Sequence, residues 1–175
     1  MKILSVKDNF TCVALEPAFP YGDLIELFKA RQIFYADPNN FLADEDGEDR
    51  KSTIDAQNLE GPGLYKSDLF HPERTEFLLY KNKNEIIGSA TLEISARGNT
   101  AWFLNGYIHS HHRGQRLIDI FYNVRENLVQ QNSQYDTIAM LINPENSDSI
   151  KAAMRNGFEY KRLSYRSYLK FEKTL

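Results

Sequence analysis

The chain has 175 residues and a formal net charge of −3 at pH 7, with 42% hydrophobic and 26% charged residues. This length and balance are typical of one soluble globular domain that buries a core of its own. The acidic balance argues against a general affinity for nucleic acid, and the single cysteine, Cys12, excludes a disulfide within the chain.

The amino terminus, MKILSVKDNF, has no apolar run long enough for a signal peptide or a membrane span. Together with the single cysteine, this segment leads us to expect a protein that contacts no membrane and is cytoplasmic, or is exported by a route that leaves no amino-terminal mark. There is no internal repeat or interdomain linker, so residues 1–175 are predicted to form a single domain.

The first 75 residues give weak structural signals. Thr11–Glu16 predicts a strand, and Tyr21–Tyr35 and Ser52–Leu59 predict helices. The acidic segment Asp44–Asp49 predicts a solvated loop, although its charge would also attract a cationic substrate such as a polyamine.

From Glu76 onward the pattern is clearer. Glu76–Lys81, Glu85–Ser95 and Thr100–His109 predict three strands, with tight turns at Asn82–Asn84 and Arg97–Asn99. The two short connections predict an antiparallel meander.

The rest of the chain predicts a helix, a buried strand, a second helix and two strands. Their ranges are Gln115–Gln131, Thr137–Ile142, Asn146–Asn156, Phe158–Leu163 and Ser164–Glu172. Gly157 follows the second helix at the position where a left-handed residue commonly ends a helix. The order β-β-β-α-β-α-β-β predicts an α/β fold with a mixed central sheet, an antiparallel meander and flanking helices.

The segment IHSHHRGQR, from Ile108 to Arg116, lies where a strand gives way to a helix. The first turn of a helix has unpaired N–H groups and the positive end of the helix dipole, and Gly114 lets the backbone approach a ligand closely. A pyrophosphate therefore suits the segment better than a metal, because adjacent histidines seldom converge on one ion. A solvated basic loop remains the alternative, and the chain has neither a P-loop nor a Rossmann glycine motif.

Two motifs in this order resemble the GNAT family of CoA-dependent N-acyltransferases. The family often has Val-His-Pro followed by Q/R-x-x-G-x-G/A, and here Ile108-His109-Ser110 precedes His111-His112-Arg113-Gly114-Gln115-Arg116. His111 replaces the leading Gln or Arg, and Arg116 replaces a small residue. The second motif, a strand, an Asn and a helix closing in Gly-Phe, is matched by Met140–Ile142, Asn146 and Gly157-Phe158.

The resemblance implies the GNAT fold, with residues 76–172 as an acyl-CoA-binding core and residues 1–75 on the substrate side. It implies transfer of an acetyl group from acetyl-CoA to a primary amine of a small molecule or a protein. Neither a metal nor a nucleic acid is expected to take part, and the protein is expected to be a monomer or a homodimer. Two alternatives stay open: a CoA-binding sensor or interaction domain without activity, and a phosphate- or nucleic-acid-binding module.

The resemblance also implies which residues contact acetyl-CoA. The backbone N–H of Ile108 would polarise the thioester carbonyl, and Gly106 lies where a bulge would expose backbone groups to pantetheine. The full set of implied contacts is Ile108, His109, His111, His112, Arg113, Gly114, Gln115, Arg116, Leu117, Ile118, Asn146 and Ser149.

The catalytic groups are harder to predict, because Ala153 stands where many family members have a tyrosine acid. Ser149, one turn earlier, is the candidate to replace that acid. Candidates for the base are Tyr107 through a water molecule, His109 and Glu93. Strict alternation places Asn105, Tyr107 and His109 on one face of their strand and Trp102, Leu104, Gly106 and Ile108 on the other.

Overall fold

The computed structural model describes residues 2–15, 73–95, 98–164 and 168–175. The strands are β1 (Lys2–Lys7), β2 (Phe10–Leu15), β3 (Arg74–Lys81), β4 (Glu85–Ile94), β5 (Thr100–Ile108), β6 (Thr137–Ile142), β7 (Glu159–Leu163) and β8 (Leu169–Thr174). The described helices are α1 (Ile118–Gln130) and α2 (Ser147–Arg155), and a 3₁₀ turn covers Ser110–His112.

The described strands form one eight-stranded sheet in the order β1-β2-β3-β4-β5-β6-β8-β7. Strands β1 to β5 are antiparallel neighbours, β5 pairs in parallel with β6, and β8 lies antiparallel between β6 and β7. The predicted α/β class, mixed sheet and antiparallel meander are therefore confirmed.

Both helices pack against apolar side chains on one face of the sheet. Phe77, Leu92 and Phe103 from the strands pack in the same cluster as Phe121 of α1 and Ala153 of α2. The opposite face carries a second, smaller cluster of Val13, Leu15, Leu78 and Tyr80. The helix-side cluster holds α1 and α2 against the sheet, and the starts of both helices contribute to the candidate site described below.

Several predicted boundaries hold. Asn82 and Lys83 take left-handed conformations in the β3–β4 turn, and Gly157 has a φ of +83° directly after α2. Asn146 and Asn156 flank α2 as its caps, so the predicted helix Asn146–Asn156 is correct to within one residue at each end.

Other predictions were wrong or fall outside the described residues. Strand β1 was missed, because it is a short edge strand whose pattern is not cleanly alternating. The helix predicted from Gln115 begins three residues later, and the strand predicted from Ser164 begins at Leu169. The predictions at Tyr21–Tyr35, Asp44–Asp49 and Ser52–Leu59 lie outside the described residues, as do part of the turn at Arg97–Asn99 and residue Glu16.

An ion pair joins the start of α1 to the end of α2. The Asp119 carboxylate accepts hydrogen bonds from Arg155 Nη2 at 2.7 Å, Arg155 Nε at 3.1 Å and Asn156 Nδ2 at 2.9 Å. Partial burial alone would raise the pKa of Asp119, but these hydrogen bonds and the charges of Arg155 and Arg116 hold it below its ordinary value.

Asp119→Asn is therefore expected to lower the free energy of unfolding at pH 7, by about 1.5–3 kcal/mol for a charge-assisted contact. A carboxylate with a depressed pKa stabilises the fold above its unfolded-state pKa of about 3.9, and that contribution disappears as the pH falls through the folded-state pKa. Urea unfolding at several pH values should show that the difference in the free energy of unfolding between wild type and variant disappears below about pH 4. A difference that is independent of pH would contradict this account.

Candidate active site

Strands β5 and β6 diverge after a short stretch of pairing. Their parallel register covers Thr100 to Trp102 of β5, opposite Thr137 to Ala139 of β6. Beyond Trp102, β5 continues against β4 as far as Ile108, while β6 continues against β8. The two neighbours thus open into a wedge whose β5 side carries backbone groups without a sheet partner in the described residues.

A bulge lies in β5 within this wedge. Thr91 pairs with Leu104 and Ser89 with Tyr107, so Asn105 and Gly106 together oppose Ala90. Asn105 takes a left-handed φ of +49°, a conformation that asparagine tolerates better than most residues.

The bulge reverses the alternation of side chains along β5. Phe103 and Ile108 both belong to the core cluster on the helix side of the sheet, although strict alternation would place them on opposite faces. The prediction that side chains alternate strictly between the two faces of the sheet along Thr100–His109 is therefore wrong beyond Leu104. Tyr107, which is only 4% exposed, pairs across the ladder with Ser89 on the face away from the helices.

Ile108 directs its backbone N–H into the wedge. The N–H of His109 donates to the carbonyl of Ile87 in β4 at 2.8 Å. Successive residues of a strand point their N–H groups to opposite sides, so the N–H of Ile108 points away from β4. The carbonyl of Ile108 accepts a hydrogen bond from Arg113 Nε at 2.9 Å.

The turn before α1 presents a second group of backbone donors. Among the described residues, no hydrogen-bond acceptor is found for the amides of residues 114–118, and Leu117 caps α1 without a side-chain hydrogen bond. Gly114 has a φ of +81° and no atom within 4 Å of where a Cβ would stand. Arg116 has a φ of +57°, so a long side chain occupies a left-handed position that favours glycine.

These elements enclose a cavity of about 390 Å³, a size typical of small-molecule sites. Its charged lining consists of Arg113, Arg116, Lys151 and Arg155 with one carboxylate, Asp148, and His112 lies among them. Positive side chains and unpaired amides on one wall suit a ligand that carries phosphate groups.

Most of the predicted ligand contacts line this one cavity. They are Ile108, His112, Arg113, Gly114, Arg116, Leu117, Ile118, Asn146 and Ser149, and both predicted catalytic residues, Tyr107 and Ser149, line it as well. His109, His111 and Gln115 do not line it, and neither do Ala153 and Glu93. Glu93 instead forms an ion pair with Arg74 at 2.7 Å.

The histidines mainly organise the 3₁₀ turn. Nδ1 of His109 accepts from the N–H of His111 at 3.4 Å, and Nε2 of His112 lies 3.2 Å from a Glu85 carboxylate oxygen. The rings of His109 and His111 are 5.0 Å apart between centroids. No group of three or more possible metal ligands is found within the described ranges.

At the start of α2, Asn146 Oδ1 accepts a hydrogen bond from the N–H of Ser149 at 3.0 Å. This is an ordinary helix cap, and it fixes Ser149 on the helix face that lines the cavity. Ala153 is fully buried in the core, so the position at which the resemblance suggests an acid faces away from the cavity.

Sequence reasoning missed the basic residues of α2. Lys151 and Arg155 lie four residues apart, on the same helix face as Asp148 and Ser149. That spacing was a usable signal, since it places two cations opposite the glycine turn.

A row of buried polar side chains on the other face was missed too. The Thr91 hydroxyl donates to Glu76 Oε2 at 2.8 Å, and Asn105 Nδ2 lies 3.5 Å from the Thr91 oxygen. Glu76 is 4% exposed, and the buried Ser89 hydroxyl has no hydrogen-bond partner within the part of the chain that the structure describes. The only sequence signal for this row was one acid within an otherwise apolar strand.

Neither described helix combines the length and apolar character that crossing a bilayer demands.

Comparison with known proteins gives structural matches only. No protein-family model matches the sequence, and no curated protein matches it in sequence. The PaiA N-acetyltransferase from Thermoplasma acidophilum, solved with coenzyme A, aligns with a TM-score of 0.68 and 15% identity over 95% of this chain and 99% of that one.

Two further solved structures of N-acetyltransferases match the fold of this chain. The spermidine N-acetyltransferase from Vibrio cholerae, solved with CoA and spermine, has a TM-score of 0.63 at 17% identity over 95% of each chain. The acetyltransferase from Salmonella typhimurium that modifies the N-terminal serine of ribosomal protein L7/L12 has a TM-score of 0.61 at 12% identity over 99% of each chain. The chain thus has the GNAT fold of the CoA-dependent N-acetyltransferases, as the resemblance of its two motifs predicted.

Proposed function

We propose that the protein is an N-acetyltransferase that transfers an acetyl group from acetyl-CoA to a primary amine. The observation that carries the proposal is the wedge between β5 and β6, where Ile108 borders the same cavity as the turn of residues 114–118, whose amides have no acceptor among the described residues. A thioester carbonyl and a pyrophosphate need donors of these two kinds.

The pyrophosphate of acetyl-CoA would lie on the amides of residues 114–118, with charge from Arg113 and Arg116 nearby. Pantetheine would follow the free side of β5 past the bulge. Lys151, on the facing helix, would reach phosphate oxygens from the other wall, whereas Arg155 on the same face is held by Asp119.

In the reaction, the amine nitrogen attacks the thioester carbonyl carbon, the carbon–sulfur bond breaks, and the amine loses a proton. The N–H of Ile108 would stabilise the negative charge that develops on the carbonyl oxygen. The thiolate leaves with the proton of the Ser149 hydroxyl, or unassisted. Tyr107, at the bulge, would relay the amine proton through a water molecule to bulk solvent, from which the Ser149 oxygen regains the proton it gives to the thiolate.

Relatives by fold suggest where to look for the acceptor. Two of them act on a polyamine and on the N-terminus of a ribosomal protein, so both classes of amine are candidates here. We propose that residues 1–75 contribute the acceptor side, as the resemblance implies.

The test is release of CoA thiol from acetyl-CoA in the presence of polyamines, aminoglycosides, lysine peptides and a peptide with an N-terminal serine. We expect thiol release that depends on one class of amine. Tight CoA binding without release for any amine would instead support the inactive CoA-binding sensor.

Arg116→Ala is expected to weaken CoA more than dephospho-CoA. Arg116 lines the cavity at a positive φ. We propose that its side chain leaves the amide cradle to the pyrophosphate and meets the 3′-phosphate of CoA. A charge-assisted contact contributes about 1.5–3 kcal/mol, or roughly 10- to 150-fold in Kd. Titration calorimetry with both ligands measures the difference.

Arg116→Lys is the control, because it retains the charge and should recover part of the preference for CoA. Equal losses for the two ligands would refute a contact with the 3′-phosphate.

A further inference from the structure

Arg125 is a buried cation at the centre of the site's supporting structure. Its side chain leaves α1 and is only 2% exposed. Nε donates to the carbonyl of Phe121 at 3.0 Å, and Nη1 donates to the carbonyls of Thr91 at 3.1 Å and Leu104 at 3.3 Å. One guanidinium therefore joins α1 to both strands of the bulged ladder.

The two strand carbonyls mark the edge of the bulge. Thr91 and Leu104 form the last regular pair before Asn105 and Gly106 interrupt the register. Arg125 Nη2 lies 3.9 Å from where a Cβ on Gly106 would stand. The guanidinium thus lies against the bulge beside Gly106.

Two aromatic rings pack against the guanidinium. Its central carbon lies 4.1 Å from the centroid of the Phe103 ring and 5.6 Å from that of Tyr122. Burial lowers the pKa of Arg125 to about 10, against the opposing influence of Tyr122, Cys12 and Glu76, so the group stays charged at neutral pH. Burying a charge is costly unless its donors are satisfied, and an apolar residue would fill the same space more cheaply.

We propose that Arg125 is a positioning residue that fixes the bulge of β5 and so aims the N–H of Ile108 into the wedge. This inference rests on the proposed function for its catalytic consequence. Ile108 is two residues beyond the bulge, and its orientation follows from the register that the bulge sets. A displacement of about 1 Å at a reacting group costs on the order of 100-fold in rate.

Arg125 does not line the cavity, so its substitution should affect turnover more than CoA binding. A residue that only stabilised the fold would leave kcat unchanged in the folded fraction. The value of kcat per folded molecule, read beside KM, therefore separates the two roles.

The experiment compares Arg125→Met, Arg125→Lys and the control Arg74→Met. Arg74 is a partly buried arginine of the same sheet that pairs with Glu93 and does not contact the bulge. The first readout is amide hydrogen exchange at His109, whose N–H bonds across the ladder beyond the bulge, relative to amides of the β6–β8 ladder. The second readout is kcat and KM for acetyl-CoA.

We expect Arg125→Met to speed exchange at His109 at least about tenfold relative to β6 and β8, and to lower kcat by about 10- to 100-fold with KM within about twofold. Arg125→Lys should also speed exchange at His109 and lower kcat, because one ammonium cannot bind three carbonyls as the planar guanidinium fork does. Arg74→Met should change neither readout. If Arg125→Met does not fold, the same two readouts on Arg125→Lys test the inference.

Wild-type exchange at His109 together with wild-type kcat in a folded Arg125 variant would overturn the inference. If the wild type itself transfers no acetyl group, the proposed function fails, and the exchange at His109 still tests the role of Arg125 in fixing the bulge.

Discussion

Gly114→Glu is expected to raise the Kd for CoA by about 100-fold or more, because a carboxylate placed before the amides of residues 114–118 repels the pyrophosphate. The space beside Gly114 is open, so the new side chain fits without a clash. Its φ of +81° adds backbone strain of about 1–2 kcal/mol, which affects stability rather than charge. Isothermal titration with CoA gives the Kd directly.

Gly114→Gln is the matched control, since it has the same size and the same strain without the charge. We expect the glutamine variant to bind CoA markedly more tightly than the glutamate variant. Equal and near-wild-type affinity in both variants would remove the amide cradle from the binding site.

Ser149→Ala is expected to lower kcat by about 10²–10⁴-fold, with KM for acetyl-CoA unchanged, if the hydroxyl protonates the leaving thiolate. Ser149 lines the cavity, and Asn146 fixes its position through the backbone. Steady-state kinetics with varied acetyl-CoA separates this outcome from a raised KM, which would indicate a role in holding the ligand only.

Ser147→Ala is the control within the same helix turn, because Ser147 is exposed and does not line the cavity. Tyr107→Phe is the companion variant: it keeps the buried ring and removes only the hydroxyl proposed to relay the amine proton. If neither Ser149→Ala nor Tyr107→Phe changes kcat, the thiolate leaves unassisted and another group takes the amine proton.

Sequence patterns predicted the core of the fold well, because most of its elements are set by local signals. Alternating strands joined by short turns predicted β3 to β5, and the asparagine and glycine caps predicted α2 closely. The edge strand β1 had no comparable signal, since its pairing with β2 is decided by the tight turn at Asp8 and Asn9 rather than by hydrophobic alternation.

The residues that line the candidate cavity could be predicted where local signals mark them, but not where their placement depends on the sheet. Gly114 and the helix start gave a local signal for the turn before α1, and Asn146 gave one for the cap of α2. The reversal of faces after Asn105 depends on register against β4, which no local pattern encodes. The same is true of Arg125 and Glu76, whose burial follows from the packing of distant elements.

The central claim is that acyl-CoA binds in the wedge between β5 and β6, on the N–H of Ile108 and the amides of residues 114–118. Titration of ¹⁵N-labelled protein with acetyl-CoA, followed through backbone amide chemical shifts, tests it most directly. The account predicts that the largest shifts occur at Ile108 and at Gly114 to Ile118, and that they saturate together. Saturable binding with its largest shifts outside these amides would contradict the account.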